Sequence, residues 1–190
     1  MKRVSVVLLP KLPLQIVLRD KPHWRGSPIA IVDDEGPNGR ITHLDPLAKK
    51  GRLRIGMRQS VARDLLPKLH TAIVSPQQIS EVSNELVQAL QTFSPRVEPF
   101  PHAGAFFIDP EGLRRLYGGY QNWATSIHRY LRARHWQGSI SIGFQRHRAL
   151  AVALTLKGVR ILESPDQERE LSNRTPLSEF TLPGEVCESL

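Results

Sequence analysis

Between Ser75 and Phe93 the apolar residues Ile79, Val82, Leu86, Leu90 and Phe93 recur at spacings of three and four. That period puts them on one stripe of an α-helix. Ser75 is placed to cap it, Pro76 suits its first turn, and Ser94-Pro95 ends it. A helix with one apolar stripe needs a surface to lie on. The chain offers strands on both sides of it: "VSVVLL" near the start, "RVEPF" (96–100), "AFFID" (105–109) and "GSISIGF" (138–144). A second long helix over about 120–136 carries Trp123, Ile127, Tyr130 and Leu131 on one face. "HRALAVALTLKG" is a further helix, closed by Gly158, and "VRILE" a short last strand. After residue 74 the order is therefore helix, strand, strand, helix, strand, helix. With the first strand added, the expected fold is α+β, a ferredoxin-like split βαβ arrangement. It has one antiparallel-rich sheet and helices on one face.

Residues 13–73 read as an insertion after the first strand, forming a small α/β subdomain. A short helix covers 13–19. "SPIAIVDD" (27–34) and "RITHLD" (40–45) form a hairpin around the turn signal "EGPNG". "PLAKKG" is a short helix stopped by Gly51, "RQSVARDLLPKL" a helix broken near Pro67, and "TAIVS" (71–75) a strand. From Ser164 the chain turns polar.

The chain of 190 residues can bury a real core. No stretch approaches the apolar length of a membrane span. The opening "MKRVSVVLLPKLP" is broken by prolines and has no small-residue cleavage site, so it reads as a core strand rather than a signal peptide. A single cysteine, Cys187, cannot form an internal disulfide, which suits a reducing cytoplasm. The net charge of +8, rich in arginine, is the footprint of a protein that meets phosphate. The histidines show no metal-ligand spacing, and no Ser-His-Asp set or phosphate-cradling glycine loop stands out.

Three stretches, in order, carry a resemblance. "LDPLAKKGRLRIGMRQSVARDLLPKL" (44–69) is similar to the fingers segment of the Y-family DNA polymerases. "FSPRVEPFPHAGAFFIDPEGLRRLYGG" (93–119) lies where that family has its second acidic motif, Ser-x-Asp-Glu-x-Tyr-x-Asp. "SISIGFQRHRALAVALTLKG" (139–158) resembles the strand and helix bearing the family's Gly-x-Ser/Ala-x-x-Lys pattern. The resemblance spans residues 3 to about 165. It implies a palm over 1–12 and 74–165, fingers over 13–73 and the start of a thumb over 166–190. The chain is expected to be a trimmed portion of a longer protein.

The departures are specific. Matched to the family, the first metal-binding aspartate falls at Leu8, and the Asp-Glu pair at Gly104 and Ala105. A two-metal polymerase needs carboxylates to hold Mg²⁺ against the triphosphate, and these side chains offer no oxygen to a hard cation. Asp33, Asp34, Glu35 and Asp45 are acids of the insertion and do not stand at the end of strand one. Asp109 matches a later, non-ligand aspartate and is placed to cap the turn before "PEGL". The lost acids, with "LPKLPL" in place of the first motif, resemble the ImuB group of inactive Y-family relatives. This implies no catalytic residues, no metal and no cofactor. It also implies scaffolding in damage-induced mutagenesis with DNA, a RecA-like accessory protein, an error-prone polymerase and the sliding clamp. The site would be cytoplasmic, at a bacterial nucleoid, without a membrane.

Lys49 matches the family's phosphate-contacting arginine of the fingers, with Pro46 replacing its tyrosine helper. Lys157 lies near the palm lysine. Both are remnants of a nucleotide site. Arg146, His147 and Arg148 begin a helix after "SISIGF", where arginine and a helix N-terminus suit DNA phosphate, and Arg52 and Arg54 form a second basic stretch. Two other readings stay open: an active translesion polymerase with other ligands for Mg²⁺, and a protein-interaction module that does not bind DNA.

Overall fold

The computed structural model describes residues 2–176. The elements follow in the order β1 (Val4–Leu8), α1 (Leu12–Asp20), β2 (Ile29–Val32), β3 (Ile41–Leu44), α2 (Pro46–Lys50), α3 (Gln59–Leu65), β4 (His70–Ala72), α4 (Pro76–Leu90), β5 (Val97–Pro99), β6 (Ala105–Ile108), α5 (Leu113–Leu116), α6 (Tyr120–Ala133), β7 (Ser139–Gly143), α7 (Arg146–Thr155), β8 (Gly158–Ile161) and α8 (Pro165–Asn173). They form two compact units. One takes the residues up to Pro10 and those from Glu85 onward; the other is Lys11–Asn84. Among the described residues no helix is long and apolar enough to cross a membrane.

The first unit is built on a five-stranded sheet in the order β5-β6-β1-β7-β8. β1 pairs antiparallel with β6 and β7, β5 antiparallel with β6, and β8 parallel with β7. This is the ferredoxin-like order with one strand added. Strand alternation sorts the side chains onto two faces. Val6 and Leu8 of β1 with Ala105 and Phe107 of β6 make a buried cluster with Ala149, Leu150 and Ala153 of α7. Ser139 and Ser141 of β7 share that face. Their hydroxyls donate to the Ala153 and Ala149 carbonyls of α7 at 2.7 and 2.6 Å. Val7, Phe106, Ile108, Ile140 and Ile142 point the other way and are also buried. Trp123, Ile127 and Leu131 of α6 are fully buried, and α6 packs along β7 and β8. Helices thus cover both faces, which corrects the expectation of one. The cause is α7, whose small alanines allow close approach to the sheet.

Ser75 and Gln78 cap α4 reciprocally: the Ser75 hydroxyl accepts from the Gln78 amide at 3.1 Å, and the Gln78 side chain accepts from the Ser75 amide at 2.9 Å. The helix ends at Leu90, three residues before Phe93, whose ring meets Tyr130 edge-on at 5.2 Å. α8 lies on α7 and carries a fully buried Glu168. Residues 177–190, where most of the expected thumb start falls, lie outside the described residues.

The second unit has a three-stranded sheet, β3-β2-β4, antiparallel then parallel. The run "IAIV" of β2 is buried throughout because each parity feeds a different core. Ala30 and Val32 join Ile41, Leu44, Ala48, Leu53, Ala62 and Leu69. Ile29 and Ile31 join Leu14 and Val17 of α1.

Candidate nucleic-acid interface and the apolar strand end

The three positions singled out for lost carboxylates meet at one end of the first unit's sheet. Leu8 is the last residue of β1 and stands opposite Ala105 on one side and Ser139 on the other. The Leu9 amide donates to the Gly104 carbonyl at 2.8 Å. Leu8 is 0% exposed and Ala105 1%, both within the apolar cluster under α7. Gly104 closes the β5–β6 turn at φ 85°, a left-handed conformation that an aspartate would hold only with strain. Ser139 supplies the one side-chain oxygen opposite Leu8, and its hydroxyl is committed to Ala153. Magnesium does not fit this residue set. Among the described residues no three His, Cys, Asp or Glu side chains are grouped to hold a metal ion.

The other acids have structural work. Asp45 caps α2, accepting from Ala48 at 2.8 Å and Leu47 at 3.2 Å, and ties it to β2 through the Ile29 amide at 3.0 Å. Asp33 accepts from the Arg40 amide at 2.6 Å across the hairpin turn. Asp109 accepts from the Glu111 amide at 3.0 Å and pairs with Arg96 at 2.9 Å.

His102 lies in the same turn as Gly104, its carbonyl accepting from the Ala105 amide at 3.0 Å. Burial holds its imidazole below the ordinary 6.5. His128 on α6 is lowered too, first by burial and then by Arg132. Both histidines are held neutral by the fold, so the unfolded chain takes up protons first as pH falls. Stability present above about pH 6.5 is therefore lost progressively below it, down to the lowered folded values. Thermal unfolding followed from pH 7.5 to 5.5 should show a falling midpoint, flatter in a His102→Gln, His128→Gln variant.

The basic residues fall in both units. Lys49 lies in the last turn of α2 and is exposed, as are Arg52 and Arg54 in the loop that follows. Arg52 holds φ 63° there, its amide donating to the Lys49 carbonyl at 3.1 Å. Lys157 is exposed in the bend between α7 and β8. Arg146, His147 and Arg148 form the first turn of α7. Arg146 is forked onto Glu98 at 2.6 and 3.2 Å, with its Cζ 4.9 Å from the centre of the Phe107 ring. His147 meets Phe100 edge-on at 5.6 Å. The amides of Phe144 and Gln145, which lead into the helix, donate to Glu168 at 2.9 and 3.1 Å.

Sequence reasoning missed three contributors: Glu98, Glu168 and Arg40, whose guanidinium donates to the Gly56 carbonyl at 3.1 Å beside the Arg52–Arg54 loop. Glu98 and Glu168 lie far in sequence from the arginine turn they serve. The one legible signal was Gly143. A glycine in a strand marks a close approach, and here the Glu168 carboxylate fills the space its Cβ would take.

The sequence profile of the impB/mucB/samB family matches residues 11–154. No curated protein sequence matches the chain. Solved structures with the same fold include an insertion ternary complex of Dbh DNA polymerase (TM-score 0.73, 16% identity, covering 97% of this chain and 55% of that one). They also include a post-insertion binary complex of Dbh DNA polymerase (0.72, 17%, 96% and 53%) and DinB from Sulfolobus solfataricus (0.72, 17%, 97% and 55%). The chain spans a little over half the length of these polymerases.

Proposed function

From the premise that this chain belongs to the impB/mucB/samB family, we propose that it is a non-catalytic Y-family palm and fingers, of the ImuB kind. In this reading it binds primer–template DNA and scaffolds an error-prone translesion complex. The unit built on β1 is the palm, and Lys11–Asn84 the fingers. The observation that carries the reading is the closed apolar strand end at Leu8, Gly104 and Ala105. Phosphoryl transfer through two metal ions depends on carboxylates at such a point, and a sealed hydrocarbon cluster supplies none.

The basic residues support the DNA half of the proposal. A net charge of +8 attracts a polyanion at long range, and Lys49, Arg52 and Arg54 present cations to solvent. Lys49 and Lys157 would contact nucleotide phosphates only weakly without a metal. A RecA-like accessory protein, an error-prone polymerase and the sliding clamp are the partners this reading implies.

The test pairs two assays on one preparation. Fluorescence anisotropy should report salt-sensitive binding to a primer–template duplex, and primer extension with Mg²⁺ or Mn²⁺ should yield no product. Extension by the unaltered protein would overturn the non-catalytic assignment. Absence of binding even at low salt would favour a pure protein-interaction module.

A further inference from the structure

Arg146 already has an acid. Its two terminal nitrogens take both oxygens of Glu98, a residue of β5 at the edge of the sheet. The ring of Phe107 lies against the guanidinium and limits where it can turn. The pair stays in reach of solvent, at 51% and 58% side-chain exposure. Arg146 draws the Glu98 carboxyl below its ordinary value, so Glu98 carries its charge at neutral pH. On the backbone side of the same turn, Glu168 of α8 takes the Phe144 and Gln145 amides. Two carboxylates of the chain itself, from β5 and α8, thus answer donors that a phosphate would use. Among the described residues, Arg148 of this turn has no carboxylate partner.

We propose that Glu98 is an intramolecular competitor for nucleic-acid phosphate, holding Arg146 in a neutralised fork that a DNA strand must displace. The proposal rests on the DNA-binding reading above. A carboxylate and a phosphate offer guanidinium the same planar pair of oxygens, so one substitutes for the other without rearranging α7. An exposed pair of this kind is weakly held, so displacement is feasible. It still leaves the Glu98 charge beside the incoming phosphate. The device weakens casual contact with nucleic acid and reserves Arg146 for DNA fixed by other contacts.

The experiment measures binding of the whole chain to a fluorescein-labelled primer–template duplex across a salt series, with Glu98→Gln, Arg146→Ala and the double variant. Circular dichroism confirms that each is folded. Glu98→Gln should tighten binding about three- to tenfold at low salt and steepen the slope of log K against log salt by about 0.9, one more phosphate contact. The gain should vanish in the Arg146→Ala background. Unchanged or weaker binding by Glu98→Gln overturns the proposal. So does a gain that persists without Arg146, which would reflect net charge alone. If no protein in the set binds the duplex, the DNA reading itself fails, and the competitor role with it.

Discussion

Leu8→Asp should destabilise the first unit by about 5 kcal/mol or more, enough to unfold a domain of ordinary stability. Leu8 is fully buried in the central strand, packed with Val6, Ala105, Phe107 and Leu150. The substitution removes its hydrocarbon and leaves a cavity. It also brings a carboxyl group into an apolar cluster, opposite a Ser139 hydroxyl that already donates to Ala153. Protonation would relieve the charge, yet an unpaired acid group would remain in hydrocarbon. Leu8→Met, which keeps the volume, should cost less than about 1.5 kcal/mol. Urea denaturation followed by circular dichroism measures both. A Leu8→Asp protein within about 1 kcal/mol of the parent would mean that the strand end is wet and open to a metal ion after all. Placing acids at all three positions, with Gly104→Asp and Ala105→Glu added, should be worse still, because a side chain at position 104 must sit on a left-handed backbone. Making room for three carboxylates at this strand end requires opening the α7 face, beyond exchanging three side chains.

Gly143→Ala should cost about 3 kcal/mol. An added Cβ would sit 2.1 Å from the Glu168 Oε1 atom and 3.1 Å from Leu162 Cδ1. The carboxylate must leave, and with it go two charge-assisted bonds to the Phe144 and Gln145 amides. The other oxygen of Glu168 makes no hydrogen bond, so the side chain has no second anchor to fall back on. Removing the glutamate first makes room for the methyl. In the double variant Gly143→Ala, Glu168→Ala the costs should therefore be clearly less than additive. Thermal or urea unfolding of the four proteins gives the coupling. Additive costs would show that the glycine and the glutamate act separately.

The strand and helix pattern was legible because most elements have a clean period. The stripe Ile79, Val82, Leu86, Leu90 gives α4, and the alternation Ser139-Ile140-Ser141-Ile142 gives a strand with two unlike faces. What escaped was the use of the serine face. Buried serines in a strand do not announce a helix, and "HRALAVALT" has apolar and small residues nearly all round, so its period says little about its partner. In the second unit "SPIAIVDD" was readable as a strand, while its division between two cores depended on elements far along the chain. For the candidate interface, Leu8, Gly104 and Ala105 were reached only through the family resemblance, while the arginines of α7 could be read from the sequence. Their opponents could not: Glu98 and Glu168 are ordinary surface-type residues in polar stretches, and only the fold carries them to the arginine turn. Asp45 shows the converse. The sequence set its carboxylate aside as a metal ligand without giving it a role, and local geometry spends it on the cap of α2.

The discontinuous first unit also orders the folding of the chain. β1 precedes the rest of its sheet in the chain but is its middle strand, and its partners β6 and β7 follow roughly a hundred residues or more later, a long closure for a strand pair. Lys11–Asn84 is contiguous and holds its own cores, so it can collapse while β1 is still unpaired. During that interval "VSVVLL" is a bare apolar strand with two open edges, the kind of segment that draws other chains into aggregates. Leu8 and Leu9 extend that run to its tip. The side chains that close the strand end in the finished protein thus lengthen its exposure as a sticky nascent strand.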